Sequence, residues 1–557
     1  MNRSLKNNSL SRDLGFSGSL DVGVWQWRLA SLFIAAIVAV PILIIFSAWG
    51  GPVSEVWTHL ANTVLPDLLR NTLVLIVGVG SGVLVLGVGL AWLTTMCEFP
   101  GRRLFEWALM LPLAIPAYVL AFVAIGFLDF SGPVQDWLRS VFGPGVWFPR
   151  VRSEGGVILV MTLAFYPYVY MLARTAFLSQ GRSVLDTGRV LGLNSWASFY
   201  RISLPMARPA IAAGVALALM EALADFGAVS IFNYDTFTTA IYKSWFGFFD
   251  LAAAAQLASL LLLFVGVALF AEKRLRGRAR YDASGKLARE QRYKLTGWHA
   301  IAAFLFAATV MLLAFVIPVL QLLMWVIEVA AEDLDTRYIR FFFNTVFLGA
   351  LAAGLTVFFA VLLAYTYRLS PDRFTRVAIR FSTLGYALPG SVLAVGIMLS
   401  FVWLDKQIAN TVLVLFGISM TQVLTGTLLA LLLAYVVRFM AVAYGPVDSA
   451  FERIKPSLLQ AARSLGASNW QILWRISIPM LRAGTFSAAL LVFVEVMKEM
   501  PATLLLRPFG WDTLATRIFE MTAEGEWERA ALPALTLVVA GLIPVMLLVR
   551  RAGSKWS

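Results

Sequence analysis

The chain has 557 residues, 60% of them apolar and 14% charged, with a mean hydropathy of +0.79. Soluble domains carry roughly a quarter charged residues, so this composition excludes an ordinary soluble globular protein. The single cysteine, Cys97, and two distant histidines, His59 and His299, exclude an internal disulfide and leave too few ligands for a zinc cluster.

A polar tail, residues 1–28, precedes the first apolar run. Twelve runs follow, near 29–49, 72–96, 105–127, 157–178, 209–232 and 251–271, then 299–328, 345–367, 380–404, 411–437, 483–506 and 529–549. Runs of about 20 apolar residues cross a bilayer core about 30 Å thick. Backbone groups in lipid must be satisfied internally, so the runs predict helices rather than the ten-residue alternation of a barrel. The first run is too long for a signal-peptide core and reads as an uncleaved span. Cys97, at the end of the second run, reads as an inert thiol.

The net charge of +13 lies in loops. Between Glu272 and Trp298 the linker "EKRLRGRARYDASGKLAREQRYKLTGW" holds nine Lys/Arg, and "FPGRR" and "RLSPDRFTRVAIR" add to it. Excess Lys/Arg marks cytoplasmic loops. With the N-terminus inside, all these loops fall inside, the acidic "EVAAEDLD" falls outside, and residues 550–557 form a cytoplasmic tail. The basic linker reads as topology and lipid-headgroup contact, not as a nucleic-acid site.

The chain is doubled. Asn71 begins "NTLVLIVGVGSGV" and Asn344 begins "NTVFLGALAAGLT", 273 residues later, while "LAIPAYVLA" around Pro116 answers "YALPGSVLA" around Pro389. Residues 29–271 and 299–549 are thus predicted to be homologous six-helix halves joined by the linker at 272–298. An even helix number gives both halves one orientation, a parallel repeat, which is a transporter architecture.

The longest shared phrase is "RVLGLNSWASFYRISLPM" at Arg189 and "RSLGASNWQILWRISIPM" at Arg463. Each copy lies between the fourth and fifth runs of its half. The pattern predicts two short helices meeting at a bend. Gly466 ends the first, Ser468 or Asn469 caps the second, and Pro479 stops it before the next span. Matching glycine, tryptophan, arginine and proline in two loops points to two equivalent receivers, as a cytoplasmic homodimer would supply.

These phrases resemble the cytoplasmic signature of permease subunits of binding-protein-dependent ABC importers: E-A-A, three residues, G, nine residues, I-x-L-P. The second copy supplies Gln460, Ala461, Ala462, Gly466, Ile476 and Pro479. The first supplies Asp186, Gly192, Ile202 and Pro205, with Thr187 and Gly188 replacing the alanines. The resemblance implies an all-α, polytopic, type I importer permease of the bacterial inner membrane. It implies that the phrases are coupling helices docking on a homodimeric ABC ATPase, with Ser195, Trp196, Arg201, Asn469, Trp470 and Arg475 at the contact. Asp186 and Gln460 depart from the family's glutamate, so docking is expected to rest on the steric and apolar part of the signature. No G-x-x-x-x-G-K-[ST] loop occurs, so ATP-Mg is assigned to the partner, and this chain is read as a permease without an intrinsic cofactor and not an enzyme. A periplasmic or lipid-anchored solute-binding protein is the implied outer partner. A major-facilitator carrier shares the six-plus-six plan and "CEFPGRR" resembles its loop, but it lacks the paired phrase.

Acids inside the fifth run of each half mark the path. Glu221 and Asp225, and Glu495 and Glu499, are spaced to share a helical face, with Lys498 placed to pair with Glu495. They suit a cationic path, while caps at helix ends and pairing within the bundle are the reading that comes first. They name no metal site. "KEMPATLLLRPFGWDTLATRIFE" and "DFGAVSIFNYDTFTTAIYKSWF" in a fused chain look like ferric-iron permeases, while thiamine, sulfate, molybdate and polyamine permeases are related alternatives. By the same likeness Tyr234, Asp235 and Thr236, with Trp511, Asp512 and Thr513, are candidates for the outer mouth, or plain turns.

Overall fold

A computed structural model describes residues 22–51, 54–190, 192–193, 195–276, 292–419 and 422–553. Among them twelve helices are long and apolar enough to cross a membrane. In chain order these are α1 (Trp25–Gly50), α2 (Glu55–Met96), α3 (Ala117–Phe142), α4 (Glu154–Gln180), α5 (Phe199–Ala224) and α6 (Leu251–Arg274). The second half supplies α7 (Trp298–Asp333), α8 (Thr336–Leu369), α9 (Gly390–Phe416), α10 (Leu428–Phe451), α11 (Asn469–Lys498) and α12 (Trp527–Leu547).

Prolines move the third span of each half about ten residues from where hydropathy alone sets it. In the first half Arg102–Ala108 is a separate helix, Leu111–Ala114 a 3-10 turn, and Pro116 is extended (ψ 144°) before α3 starts. The second half repeats this with helix Arg373–Ser382, turn Leu384–Ala387 and extended Pro389 (ψ 140°). A residue before proline avoids the helical region, and the proline nitrogen has no hydrogen to donate, so the chain restarts its helix there. The tenth span also shifts: residues up to Phe416 continue α9, Gly417 closes it at φ +68°, and α10 begins at Leu428.

The core of each half is a matching triad, α2 with α4 and α5, and α8 with α10 and α11. The halves then exchange their outer spans. The first span of each half crosses over: α1 packs on α9 and on Arg373–Ser382, and α7 packs on α3 and on Arg102–Ala108. The last spans cross too, α6 onto α9 and α12 onto α3 and the 3-10 turn before it. Accordingly one apolar core holds Val83 and Tyr166 together with Leu322 and Leu537, and another holds Val38 with Ala352, Tyr435 and Leu481. The halves are homologous but interlocked, so the seam between them is a built interior surface.

At the linker end, Tyr293–Lys294 pairs as a short parallel strand with Cys97–Glu98. Glu98 holds Arg102 at 3.3 Å and Arg292 at 3.5 Å. Cys97 is buried beneath this pairing, and burial pushes its thiol up to about 11. That agrees with the reading of an unreactive thiol. The equivalent loop of the second half ties down α1 instead: Asp372 pairs with Arg28 at 2.6 Å and caps Arg373–Ser382 through the Thr375 amide at 2.7 Å.

Candidate functional site

The repeated phrases lie at the linker end. In the second half Pro456 opens a short helix, Pro456–Ser464, that exposes Gln460 and Ala461 and buries Ala462. Gly466 then turns the chain at φ +82°, its amide bonding the Arg463 carbonyl at 2.9 Å. Positive φ is open to glycine with little penalty, which is why the phrase keeps glycine here. Ser468, not Asn469, is the cap: its hydroxyl accepts from the Gln471 amide at 3.2 Å, and the Gln471 side chain accepts from the Ser468 amide at 2.9 Å. Beyond it Trp470 is half exposed, its ring tilted against Trp27 at 6.0 Å and edge-on to Trp474 at 5.6 Å. Tyr365 donates to the Asn469 carbonyl at 2.5 Å, fixing the turn to α8. Arg475 is exposed and Ile476 half-buried. A hollow of about 480 Å³ opens beside this turn, between Arg453, Lys455 and Leu458 on one side and Ala461 and Met480 on the other.

Pro479 does not stop the helix. The chain passes through a π-helical turn, Leu473–Ser477, in which the Ile478 amide reaches back five residues to Leu473, and continues into Ile478–Lys498. The wider turn removes the clash between the proline ring and the carbonyl four residues earlier, so proline is absorbed rather than expelled. The first half repeats the device with the π turn Phe199–Ser203 ahead of Pro205. Arg201 is exposed, Ile202 half-buried, and Gly192 sits at φ +66°. The predicted pair of short helices is seen in the second half. In the first, the upstream helix is the end of one unbroken helix, Glu154–Val190, because Arg182 stands where the second half has Pro456. The side chains of Asp186, Ser195 and Trp196 lie outside the described residues.

The five intramembrane residues singled out in the sequence come together. Glu221, Asp225, Glu495, Lys498 and Glu499 all line one cavity of about 120 Å³ on the seam between the halves. Their expected placement on continuous helix faces is corrected, because α5 ends at Ala224 and α11 at Lys498. Asp225 and Glu499 stand in the breaks, extended at ψ 133° and 110°. Each caps the short helix that follows. Asp225 accepts from the Ala228 amide at 2.8 Å, and Glu499 accepts from the Ala502 amide at 3.1 Å. Broken helices with polar ends at a repeat interface are a recurrent way to build a site inside a membrane.

The expected Lys498–Glu495 pair is not formed. Lys498 instead crosses the seam and donates to the Leu113 carbonyl at 3.1 Å, a carbonyl freed where the 3-10 turn ends before Pro116. Glu499 is bound by Arg438, Nε to Oε2 at 2.9 Å, with both residues less than a tenth exposed. Arg438 also donates to the Leu388 carbonyl at 3.0 Å. A Cβ at Gly390 would collide with the Glu499 carboxylate, so this close approach requires glycine. Glu221 accepts from the Tyr386 hydroxyl at 3.0 Å. Glu495 lines the cavity and makes no hydrogen bond or ion pair with any described residue. The carboxylates do not close on one point: among the described residues no three His, Cys, Asp or Glu are placed to hold a metal ion. Four carboxyl groups stand against two cations, Arg438 and Lys498, in the lining of the cavity.

Sequence reasoning missed Arg438, Tyr386, Tyr118 and Tyr168, all of which line the cavity. Arg438 had a signal, a lone arginine in "LLLAYVVRFMAV", but the tenth span was set to end at residue 437, which put it at a boundary. The tyrosines carry no such signal in an aromatic-rich chain.

The turns that follow the fifth span of each half carry matching caps. Thr236 and Thr513 each form a reciprocal cap with the threonine three residues on, Thr239 and Thr516. Asn71 and Asn344, which open matching stretches of the two halves, donate to the Asp235 and Asp512 carbonyls, each at 3.0 Å. The echo of asparagine and threonine is therefore a structural clamp between the second and fifth spans.

Comparison with known proteins places this architecture. The chain matches the family described as binding-protein-dependent transport system inner membrane component twice, over residues 83–277 and 356–554. It is 30% identical over 493 residues to an Fe(3+)-transport system permease protein of Haemophilus influenzae, covering 88% of this chain and 90% of that one. It is 26% identical over 489 residues to a putative ferric transport system permease protein of the same organism, covering 84% and 74%. A sulfate transport system permease protein of Escherichia coli is 33% identical over 202 residues, covering 35% of this chain and 66% of that protein.

Proposed function

Because the chain belongs to the family of binding-protein-dependent transport system inner membrane components, we propose that it is the ferric-iron permease of an ATP-driven importer. Two relatives named for ferric transport match 88% and 84% of this chain, whereas the sulfate permease matches 35% of it. The observation that carries the cargo class is the seam cavity, where Glu495 stands unpaired beside Glu221, Asp225 and Glu499. A carboxylate without a partner inside a membrane protein is costly, on the order of 3 kcal/mol on insertion scales, unless a cation or water meets it. Hard oxygen donors suit a hard cation, and four carboxyl groups in one lining are poor partners for an oxyanion as cargo.

In this reading the linker end faces the cytoplasm, by the Lys/Arg bias of its loops. A solute-binding protein delivers cargo at the opposite end. A homodimeric ATPase, which holds ATP-Mg, seats on the two phrases at 189–206 and 463–480. Closure of that dimer draws the phrases together. Because the second helix of each phrase runs without a break into α5 or α11, the motion reaches Asp225 and Glu499 at the far ends of those helices. The cavity then opens outward, cargo exchanges its former ligands for Glu495 and Glu221, and ATP hydrolysis restores the inward-open arrangement.

The test is ATP turnover by the permease reconstituted with its ATPase and binding protein. Ferric-loaded binding protein should stimulate turnover, and thiamine, polyamine, sulfate or molybdate should not. Stimulation by one of those cargoes with none by ferric iron would overturn the assignment.

A further inference from the structure

A second and larger cavity, about 770 Å³, lies at the end of the molecule opposite the linker. Its wall carries three guanidinium groups, those of Arg337, Arg340 and Arg507, with Tyr242 and Trp245 beside them. Arg507 is neutralised by Asp512 and by Glu520 at 2.7 Å. Arg337 and Arg340 are exposed, sit one helical turn apart at the start of α8, and make no ion pair with any described residue. Other basic side chains at this end carry a countercharge, Arg70 pairing with Glu154 at 2.7 Å, Arg152 with Asp129 at 3.3 Å, Lys243 with Asp235 at 2.6 Å and Arg529 with Asp333 at 2.9 Å.

Aromatic rings connect the lining of this cavity to that of the carboxylate pocket. Phe226 lines the inner pocket and Tyr242 the outer one, with ring centroids 5.1 Å apart. Phe519, from the other half, packs on Phe226 at 5.2 Å and on Tyr242 at 6.1 Å. The inner chamber sets four carboxyl groups against Arg438 and Lys498, the outer one sets three guanidinium groups against Asp512 and Glu520, and rings from both halves lie where their linings meet.

We propose that the outer cavity is an oxyanion site, holding a phosphate-class anion between Arg337 and Arg340. The guanidinium fork matches two oxygens of such an anion, and the volume lies within the roughly 300–1,000 Å³ of small-molecule sites. Its consequence rests on the cation reading above: empty, the arginine pair repels a cation at the mouth, and a bound oxyanion lifts that repulsion. The site itself does not depend on the cargo, so it is tested without metal.

The probe is radiolabelled orthophosphate, with the full-length protein in nanodiscs of phosphatidylcholine alone and in nanodiscs containing phosphatidylglycerol. Saturable binding in phosphatidylcholine is expected, weakened roughly tenfold or more in Arg337→Gln/Arg340→Gln, because both charge-assisted contacts are lost. Arg340→Lys, which keeps charge but not the fork, should fall between. Loss of orthophosphate binding with phosphatidylglycerol present, and its return in phosphatidylcholine, would identify a lipid phosphate as the occupant of the same site. No saturable binding in phosphatidylcholine, or binding unchanged in the double variant, overturns the proposal. Both arginines are exposed, so the double variant should keep the unfolding midpoint of the parent protein.

Discussion

The two halves bring the same acids to the seam but different countercharges. Glu221 matches Glu495 and Asp225 matches Glu499, at the same broken helix ends. By the 274-residue offset that aligns the phrases, Arg438 corresponds to Ala164 and Lys498 to Ala224. Both alanines line the same cavity, so the first half presents methyl groups where the second presents cations. Duplication thus supplies the frame, paired breaks, paired caps and paired linker-end phrases, and divergence supplies the electrostatics. The consequence is a pocket in which one carboxylate, Glu499, is locked by Arg438 and another, Glu495, is left open. Its first-half counterparts are held more lightly, by backbone amides and one hydroxyl.

The equivalence of the halves at the linker end is the easiest part to break. Gly192→Trp and Gly466→Trp each place a bulky side chain at a positive-φ turn with open space around it. Each alone should reduce uptake to background and abolish co-purification of the ATPase. Full transport in one variant would show that the two levers are not equivalent. At the seam, Glu221→Gln/Glu495→Gln should lower cargo uptake by roughly tenfold to a hundredfold, the range expected for losing charge-assisted contacts of about 1.5–3 kcal/mol. Unchanged uptake would reduce these acids to scaffolding.

Asymmetry is sharpened by stability measurements. Arg438→Gln strands the buried Glu499 carboxylate and should destabilise the protein by about 3–5 kcal/mol. Arg438→Gln/Glu499→Gln should recover most of that. Asp225→Asn, which removes a cap to backbone amides, should cost about 1 kcal/mol. Equal losses from Arg438→Gln and Asp225→Asn would contradict the division into a locked and a lightly held side. Comparison of unfolding midpoints in one detergent reads all four proteins.

The smallest effect concerns the two ties of the swapped first spans, one a strand pairing and the other the Arg28–Asp372 bridge. Burial acts to raise the Asp372 carboxyl, but the Thr375 amide and hydroxyl, Arg28 and Ser370 outweigh it and hold it below the ordinary carboxylate range. A depressed carboxyl stabilises the fold above its unfolded value, and that contribution fades as pH falls through the folded one. Asp372→Asn should therefore lower the unfolding midpoint slightly at neutral pH, and the difference should shrink below about pH 4. A difference that persists into acid would mean that the bridge is not what the substitution removes.

The fold was largely legible because membrane helices announce themselves by length, and the repeat by its fixed offset. The errors came where backbone chemistry overrides hydropathy. Pro116 and Pro389 restart α3 and α9, and the π turns before Pro205 and Pro479 keep continuous what proline was expected to end. The exchange of α1 and α7 between halves leaves no trace in local sequence, because a lipid-facing and a partner-facing apolar stripe read alike. At the site, intramembrane acids stand out in an apolar chain, so all four and Lys498 were found. Their partners were not, since Arg438, Tyr386 and Leu113 come from other spans and meet them only in three dimensions.

The account depends on an outside motor rocking the seam through two linker-end levers. The most direct measurement is ferric uptake into proteoliposomes containing the permease with its ATPase and binding protein, with ATP supplied on the linker side and a protonophore present. Uptake should require ATP hydrolysis, survive the protonophore and stop when the ATPase is left out. Uptake sustained by an ion gradient with no nucleotide-hydrolysing partner would contradict the account.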